Sequence, residues 1–136
     1  MNKMSNINFV FFGTSELSVK VLDVLIRNGY TPDLVVTVPD KPQGRKMIMT
    51  PPPVKVFAET HNLKVDQPVS LSGYKLLADS YQLFIVASYG KIIPKSVLEI
   101  PKHGTLNVHP SLLPKLRGPS PIQSFILKDE EETGVT

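Results

Sequence analysis

The sequence predicts an α/β fold: a doubly wound, mainly parallel sheet with helices on both faces. Two observations predict it. Short runs rich in β-branched and aromatic residues alternate along the chain with segments of helical periodicity. The strand-like runs are apolar at nearly every position rather than at alternate ones, as strands buried on both faces require.

The elements follow in order. Ile7 to Phe12 reads as a buried strand that ends at Gly13-Thr14-Ser15. Leu17, Val21, Val24 and Leu25 then recur at helical spacing, with Leu22 and Ile26 widening the apolar side, until Asn28-Gly29 stops the helix. Leu34 to Val38 is a second strand. Residues 39–53 hold five prolines and one glycine, which exclude a regular helix or a central strand. A connection of this length inside an α/β unit is usually functional or disordered. Residues 54–62 read as a helix, 63–65 as a short strand, and 71–81 as a helix with Tyr74, Leu77, Ala78 and Tyr81 on one face. Leu83 to Ala87 is a strongly buried strand followed by the turn Ser88-Tyr89-Gly90, and a short helix covers 95–99. A further strand ends in Asn107-Val108-His109. Ser120-Pro121 starts a helix, with serine able to cap and proline suited to the first helical position. Ile122, Phe125 and Ile126 are expected to face the core, and residues 133–136 to begin another strand.

Composition narrows the functional classes. The chain has 136 residues, 41% hydrophobic and 20% charged, which suits one soluble globular domain with a real core. It contains no cysteine, so disulfides, thiolate nucleophiles and Cys-based zinc sites are excluded. That fits a reducing cytoplasm. The N-terminus lacks a hydrophobic signal core, and the apolar runs are too short to span a membrane. The net charge of +3 is mild. It is unevenly placed, with Lys41, Arg45, Lys46 and Lys55 in or just after one loop, Lys115 and Arg117 in another, and acid at Asp129 to Glu132. Such unevenness can steer an anionic ligand to one face.

The segment NVHPSLLP, Asn107 to Pro114, carries the strongest chemical signal. Alternation puts Asn107 and His109 on one face and Leu106 and Val108 on the other. Pro110 ends the strand there, at the carboxyl edge where open α/β sheets bind ligands. The expected setting is the end of a central parallel strand, with both side chains turned to an open cleft. An amide N–H and an imidazole together suit acyl or formyl transfer: the amide holds the developing oxyanion while the imidazole handles a proton. The sharp turn that follows makes Leu113-Pro114 the expected cis peptide.

Other readings are weaker. The turn after the first strand has only Gly13 of the three glycines in a dinucleotide fingerprint, and no P-loop occurs. His61, His103 and His109 share no metal-ligand spacing, so no metal is expected. Ser111 lies two residues from His109, but no G-x-S-x-G elbow surrounds it.

The stretch NVHPSLLPKLRGPSPIQ resembles the folate-dependent formyltransferase family, in its N-x-H strand end and its SLLP loop. VFFGTSELSVKVL, TVPDKPQGRKMIMTPPPVK and ASYGKIIPKSVLEIP are similar, in order and spacing, to the branch of that family acting on methionyl-tRNA. The resemblance runs from about Asn8 to Thr136. It implies a Rossmann-like formyltransferase fold, incomplete at its C-terminal end, with residues 1–136 the N-terminal portion of a catalytic domain and a C-terminal tRNA-binding domain absent. It further implies transfer of formyl from 10-formyltetrahydrofolate to the amino group of methionyl-initiator tRNA, without a metal, in a cytoplasmic enzyme that is a monomer at full length. Asn107 and His109 match the family's catalytic pair. Ser111, Leu112, Leu113 and Pro114, with Tyr89 and Gly90, match its folate contacts. Lys41, Arg45 and Lys46 fall in the insertion that reaches tRNA, which is expected to be mobile in the absence of tRNA. The insertion reads GRKMIM, shorter and less basic than GRGKK-type forms, and Leu116 stands where an aromatic residue is common. The family's catalytic aspartate is expected on the strand that Gly134-Val135-Thr136 begins, so residues 1–136 alone are not expected to turn over. The alternatives are a formyltransferase acting on a sugar nucleotide or a purine-pathway amine, and a non-catalytic folate-binding remnant.

Overall fold

Strand β1, Phe9–Gly13, is buried at every position. It pairs in parallel on both sides, with β2 (Leu34–Val36) through Val10, Phe11 and Phe12, and with β6 (Leu83–Ala87) from Phe9↔Leu83 to Gly13↔Ala87. The computed structural model describes residues 7–74 and 81–136. Its five-stranded sheet has the order β5-β2-β1-β6-β7, where β5 is Val65–Asp66 and β7 is Thr105–Val108. The chain therefore leaves β1 outward through β2 and β5, then returns to the other side of β1 for β6. That reversal is the switch point at which such sheets bind ligands.

The chain divides into two compact units, Met1–Leu106 and Asn107–Thr136. The first holds the core. Phe11, Phe12, Phe84, Val10, Val35 and Val36 are fully buried, which is why their strands read as unbroken apolar runs. The Phe12 ring lies 5.2 Å from Phe84 and meets Tyr89 edge-on at 5.6 Å. Helix α1, Glu16–Arg27, turns Ser18 and Leu22 inward, and helix α2, Pro53–Thr60, turns in Val54 and Ala58. Proline opens α2, where its missing N–H removes no helical bond. Helix α3, Lys95–Leu98, buries Val97. Of the expected helix over 71–81, Leu77 and Ala78 lie outside the described residues, while Leu71, Tyr74 and Tyr81 pack at the core.

The long insertion departs from an irregular loop. Strands β3 (Lys41–Gln43) and β4 (Ile48–Thr50) form an antiparallel hairpin with the register Lys41↔Thr50, Pro42↔Met49, Gln43↔Ile48. A two-stranded ribbon tolerates Pro42 because each strand has a free edge that needs no N–H. Gly44 (φ 71°) and Met47 (φ 50°) turn the tip.

The second unit contains helix α4, Pro121–Leu127, which opens on proline as expected. Two details differ. Ser120 makes no side-chain capping bond, and Ile122 and Ile126 are exposed rather than turned to a core. A unit of some thirty residues has too little chain to cover a helix face. Strand β7 also differs from expectation: among the described residues it is outermost in the sheet order, not central.

Candidate active site

In the first unit, the ends of β1 and β6 are tied together at the switch point. Gly13 has no room for a side chain: a Cβ there would stand 2.7 Å from Phe11 Cε1 and 2.7 Å from Ser18 Cβ. The close approach lets the buried Ser18 hydroxyl donate to the Ala87 carbonyl and accept from the Thr14 N–H at 2.9 Å. Thr14 N–H also donates to the Ser88 carbonyl at 3.1 Å, and Gly90 N–H donates to the Thr14 hydroxyl at 2.9 Å. Beside this knot opens a cavity of about 170 Å³, lined by Thr14, Ser15, Val38, Lys41, Thr50 and Gly90 among others.

The hairpin is rooted beside that cavity. Lys55 Nζ donates to both Asp40 carboxylate oxygens at 3.1 Å, and Gln67 Nε2 donates to Asp40 at 2.7 Å and to the Val38 carbonyl at 3.0 Å. These bonds, Gln67 foremost and then Lys55, hold the Asp40 pKa below the usual carboxylate value. Lys41, Arg45 and Lys46 are exposed and take no ion-pair partner among the described residues. Tyr89 belongs to this unit as well. Its hydroxyl is buried with no hydrogen-bond partner among the described residues, and burial, then the Asp66 carboxylate, push its pKa up.

The second unit carries the NVHPSLLP segment. Asn107 is exposed in β7, with no hydrogen bond to its side chain among the described residues. His109, half-buried just beyond the strand, is held at both ring nitrogens: Nδ1 lies 2.8 Å from the Ser111 hydroxyl, and Nε2 lies 3.3 Å from the Gly118 carbonyl. Ser111 is fully buried and donates onward to the Lys115 carbonyl at 2.9 Å. His109 and Thr136 exchange both backbone N–H···O bonds at 2.8 Å, the pattern of an antiparallel pair. The Thr136 hydroxyl accepts from Leu113 N–H at 3.1 Å and donates to the Ser111 carbonyl at 2.7 Å. The Leu113-Pro114 peptide is cis, as the turn demanded. Leu112, Leu113 and Pro114 are exposed.

Within one unit, then, His109, Ser111 and the SLLP turn come together, and a free amide stands two residues before the histidine. The free Asn107 amide can donate to a developing oxyanion, and the fixed imidazole can move a proton. The hairpin cations and the Tyr89-Gly90 turn lie in the other unit. Sequence reasoning missed Thr136, Gly118 and the Lys115 carbonyl, whose roles run largely through the backbone and leave no side-chain pattern. It also missed Ser18 and Gln67. Among the described residues no group of His, Cys, Asp or Glu gathers as metal ligands, and no helix is long and apolar enough to cross a membrane.

This chain belongs to the formyl transferase family, whose sequence profile it matches over residues 5–136. Methionyl-tRNA formyltransferase of Halalkalibacterium halodurans is 50% identical over 131 residues, which cover 93% of this chain and 41% of that protein. The chain thus spans less than half the length of such relatives. Among solved structures, glycinamide ribonucleotide transformylase 1 from Geobacillus kaustophilus shares the fold, with a TM-score of 0.68 at 20% identity over 96% of this chain and 72% of the other. An N-formyltransferase from Helicobacter canadensis, solved in complex with folinic acid and dTDP-3-aminofucose, is 25% identical with a TM-score of 0.59, covering 96% of this chain and 45% of the other.

Proposed function

We propose that these residues form the N-terminal part of the catalytic domain of an enzyme that transfers formyl from 10-formyltetrahydrofolate to the amino group of methionyl-initiator tRNA. The observation that carries this reading is the pairing of a free Asn107 amide with a His109 ring held at both nitrogens. The half-identity to methionyl-tRNA formyltransferases supports that acceptor.

In the reaction, the methionyl nitrogen attacks the formyl carbon, and the planar carbonyl becomes tetrahedral as its oxygen gains negative charge. Asn107 Nδ2 donates to that oxygen. His109 takes the proton that the amine nitrogen must lose as the new N–C bond forms. The formyl carbon's bond to the folate nitrogen then breaks, the electron pair stays on that nitrogen, and a proton joins it. The exposed apolar edge of Leu112, Leu113 and Pro114 gives the folate ring system a surface. In the first unit, Tyr89 and Gly90 are assigned as further folate contacts, and Lys41, Arg45 and Lys46 meet tRNA phosphates. The reaction needs no metal, and the setting is the cytoplasm, with the full-length enzyme acting as a monomer.

The test uses the full-length polypeptide that carries these residues, supplied with 10-formyltetrahydrofolate and charged initiator tRNA. Formylated methionyl-tRNA should accumulate, and Asn107→Ala or His109→Ala should slow it on the order of 10²–10³-fold. Formylation of a nucleotide-linked amino sugar in place of the tRNA would refute the acceptor. Full activity in both variants would refute the site.

A further inference from the structure

We infer that Ser111 is a positioning residue: it fixes the resting proton of His109 on Nδ1 and leaves Nε2 as the atom that takes a proton up. The catalytic meaning rests on the proposed role of His109, but the assignment itself is tested without turnover.

The argument is a count of hydrogens. A serine hydroxyl has one hydrogen to give, and a carbonyl oxygen can only accept. The Ser111 hydroxyl lies 2.9 Å from the Lys115 carbonyl, and in the better-bonded arrangement its hydrogen goes there. Its oxygen keeps only lone pairs for His109 Nδ1 at 2.8 Å, and Nδ1 must therefore bring the hydrogen of that bond. The alternative, with the hydroxyl turned toward a bare Nδ1 and the ring proton on Nε2, would exchange the 2.9 Å bond to the Lys115 carbonyl for the longer 3.3 Å contact with the Gly118 carbonyl, the weaker of the two. Ser111 is fully buried, and its backbone is engaged as well: its N–H donates to the His109 carbonyl at 2.8 Å, and its carbonyl accepts from Thr136 at 2.7 Å. Nδ1–H is the less common tautomer of a free neutral histidine. The site imposes it.

Nε2 then faces the Gly118 carbonyl, 3.3 Å away, with a lone pair and no hydrogen bond while the ring is neutral, an unfavourable contact between two acceptors. On protonation Nε2 becomes a donor aimed at that carbonyl, and the ring gains a bond without turning. The carbonyl belongs to a residue at φ 107°, a backbone state that L side chains rarely adopt, so glycine is what allows it to be presented this way. The resemblance placed Ser111 among folate contacts. Its buried hydroxyl already has two partners, and the exposed Leu112 and Leu113 are better placed to meet a ligand.

The decisive measurement is ¹⁵N NMR of the imidazole of His109 in this 136-residue chain, at a pH where the ring is neutral. Nδ1 should carry the proton and Nε2 should report a lone pair. Ser111→Ala should shift the proton to Nε2, and Ser111→Thr, which keeps a hydroxyl, should restore it to Nδ1. A proton on Nε2 in the unaltered chain overturns the inference, as does an unchanged tautomer in Ser111→Ala. The unaltered chain decides by itself, so a variant that fails to fold does not leave the question open. In the full-length polypeptide, Ser111→Ala should lower kcat on the order of 10–100-fold with the KM for the folate donor unchanged. A change confined to that KM would return Ser111 to folate binding. Finding Nδ1–H in a protein that transfers no formyl would defeat the functional reading and leave the tautomer assignment standing.

Discussion

Gly13, in β1, and Thr37, just past the end of β2, show how differently two buried positions constrain their side chains. Gly13→Ala would push a methyl group to 2.7 Å from both the Phe11 ring and Ser18 Cβ, and neither belongs to a flexible side-chain end. Overpacking of this kind costs about 1–3 kcal/mol, to be read as a lower urea midpoint at unchanged slope. Thr37 is the reverse case. It is fully buried, and its hydroxyl has no partner among the described residues. A buried hydroxyl without a bond is a burden on the fold, so the near-isosteric Thr37→Val should be neutral or stabilising by about 1 kcal/mol. A clear loss of stability in the same urea measurement would mean that the hydroxyl has a partner in solution, such as an ordered water. Neither position could be ranked from the sequence. Gly13 reads there as a turn residue, since the proximity of Ser18 depends on how α1 leaves the strand. His109 was legible as a strand-end histidine paired with Asn107. The Ser111 contact was not, because it folds back across Pro110, where strand alternation no longer applies.

The β3–β4 hairpin is the element whose sequence was read only halfway. Five prolines correctly excluded a helix and a central strand, but no pattern announced a ribbon with Pro42 opposite Met49. Its root depends on Asp40, whose partners Lys55 and Gln67 are distant in sequence. Because the folded-state pKa of Asp40 is depressed, its contribution is present above the ordinary value of 3.8 and is lost as pH falls through the lower folded value. An NMR titration should therefore hold the Gln67 side-chain amide shifts steady through pH 5 and move them only below 3.8. Movement near pH 6 would place their control in another group. At the exposed tip, Arg45→Ala in the full-length polypeptide should weaken tRNA use and reduce its salt slope by about 1, as the loss of a single phosphate contact does. An equal loss with a small amine acceptor would remove tRNA contact from its role. Helix α4 was misread for a related reason. Periodicity names an apolar face but not what covers it, and Ile122 and Ile126 are exposed.

For the molecule as a whole, the parallel sheet and its helices were legible because burial on both faces leaves unbroken apolar runs in Phe9 to Phe12 and Leu83 to Ala87. The strand order and the division into two units were not, since both depend on contacts between distant segments. That division predicts an uneven distribution of stability. Every buried hydrophobic residue among the described ones, from Phe9 to Val97, falls within Met1–Leu106. In Asn107–Thr136 the buried positions are Ser111 and Pro121, and order rests on hydrogen bonds such as the reciprocal pair between His109 and Thr136. A hydrogen bond contributes about 1 kcal/mol net, whereas burying a large apolar side chain contributes about 1.5–3. The second unit should therefore open locally at a free energy well below that of global unfolding. In amide hydrogen exchange, His109 and Thr136 should exchange at least about a hundredfold faster than Val10 and Phe84, a gap of roughly 3 kcal/mol. Closed amides should also respond to ligand. If the SLLP turn receives a folate, a non-reactive 5-formyl analogue should slow exchange at His109 and Leu113 in proportion to its saturation, because it binds the closed form. Val10 and Phe84 should change less, since their protection already derives from the core. Equal protection across both units without ligand would show that the second unit draws its stability from the global fold. A folate analogue that slowed Val10 but left His109 and Leu113 unchanged would move the folate site out of the SLLP turn altogether.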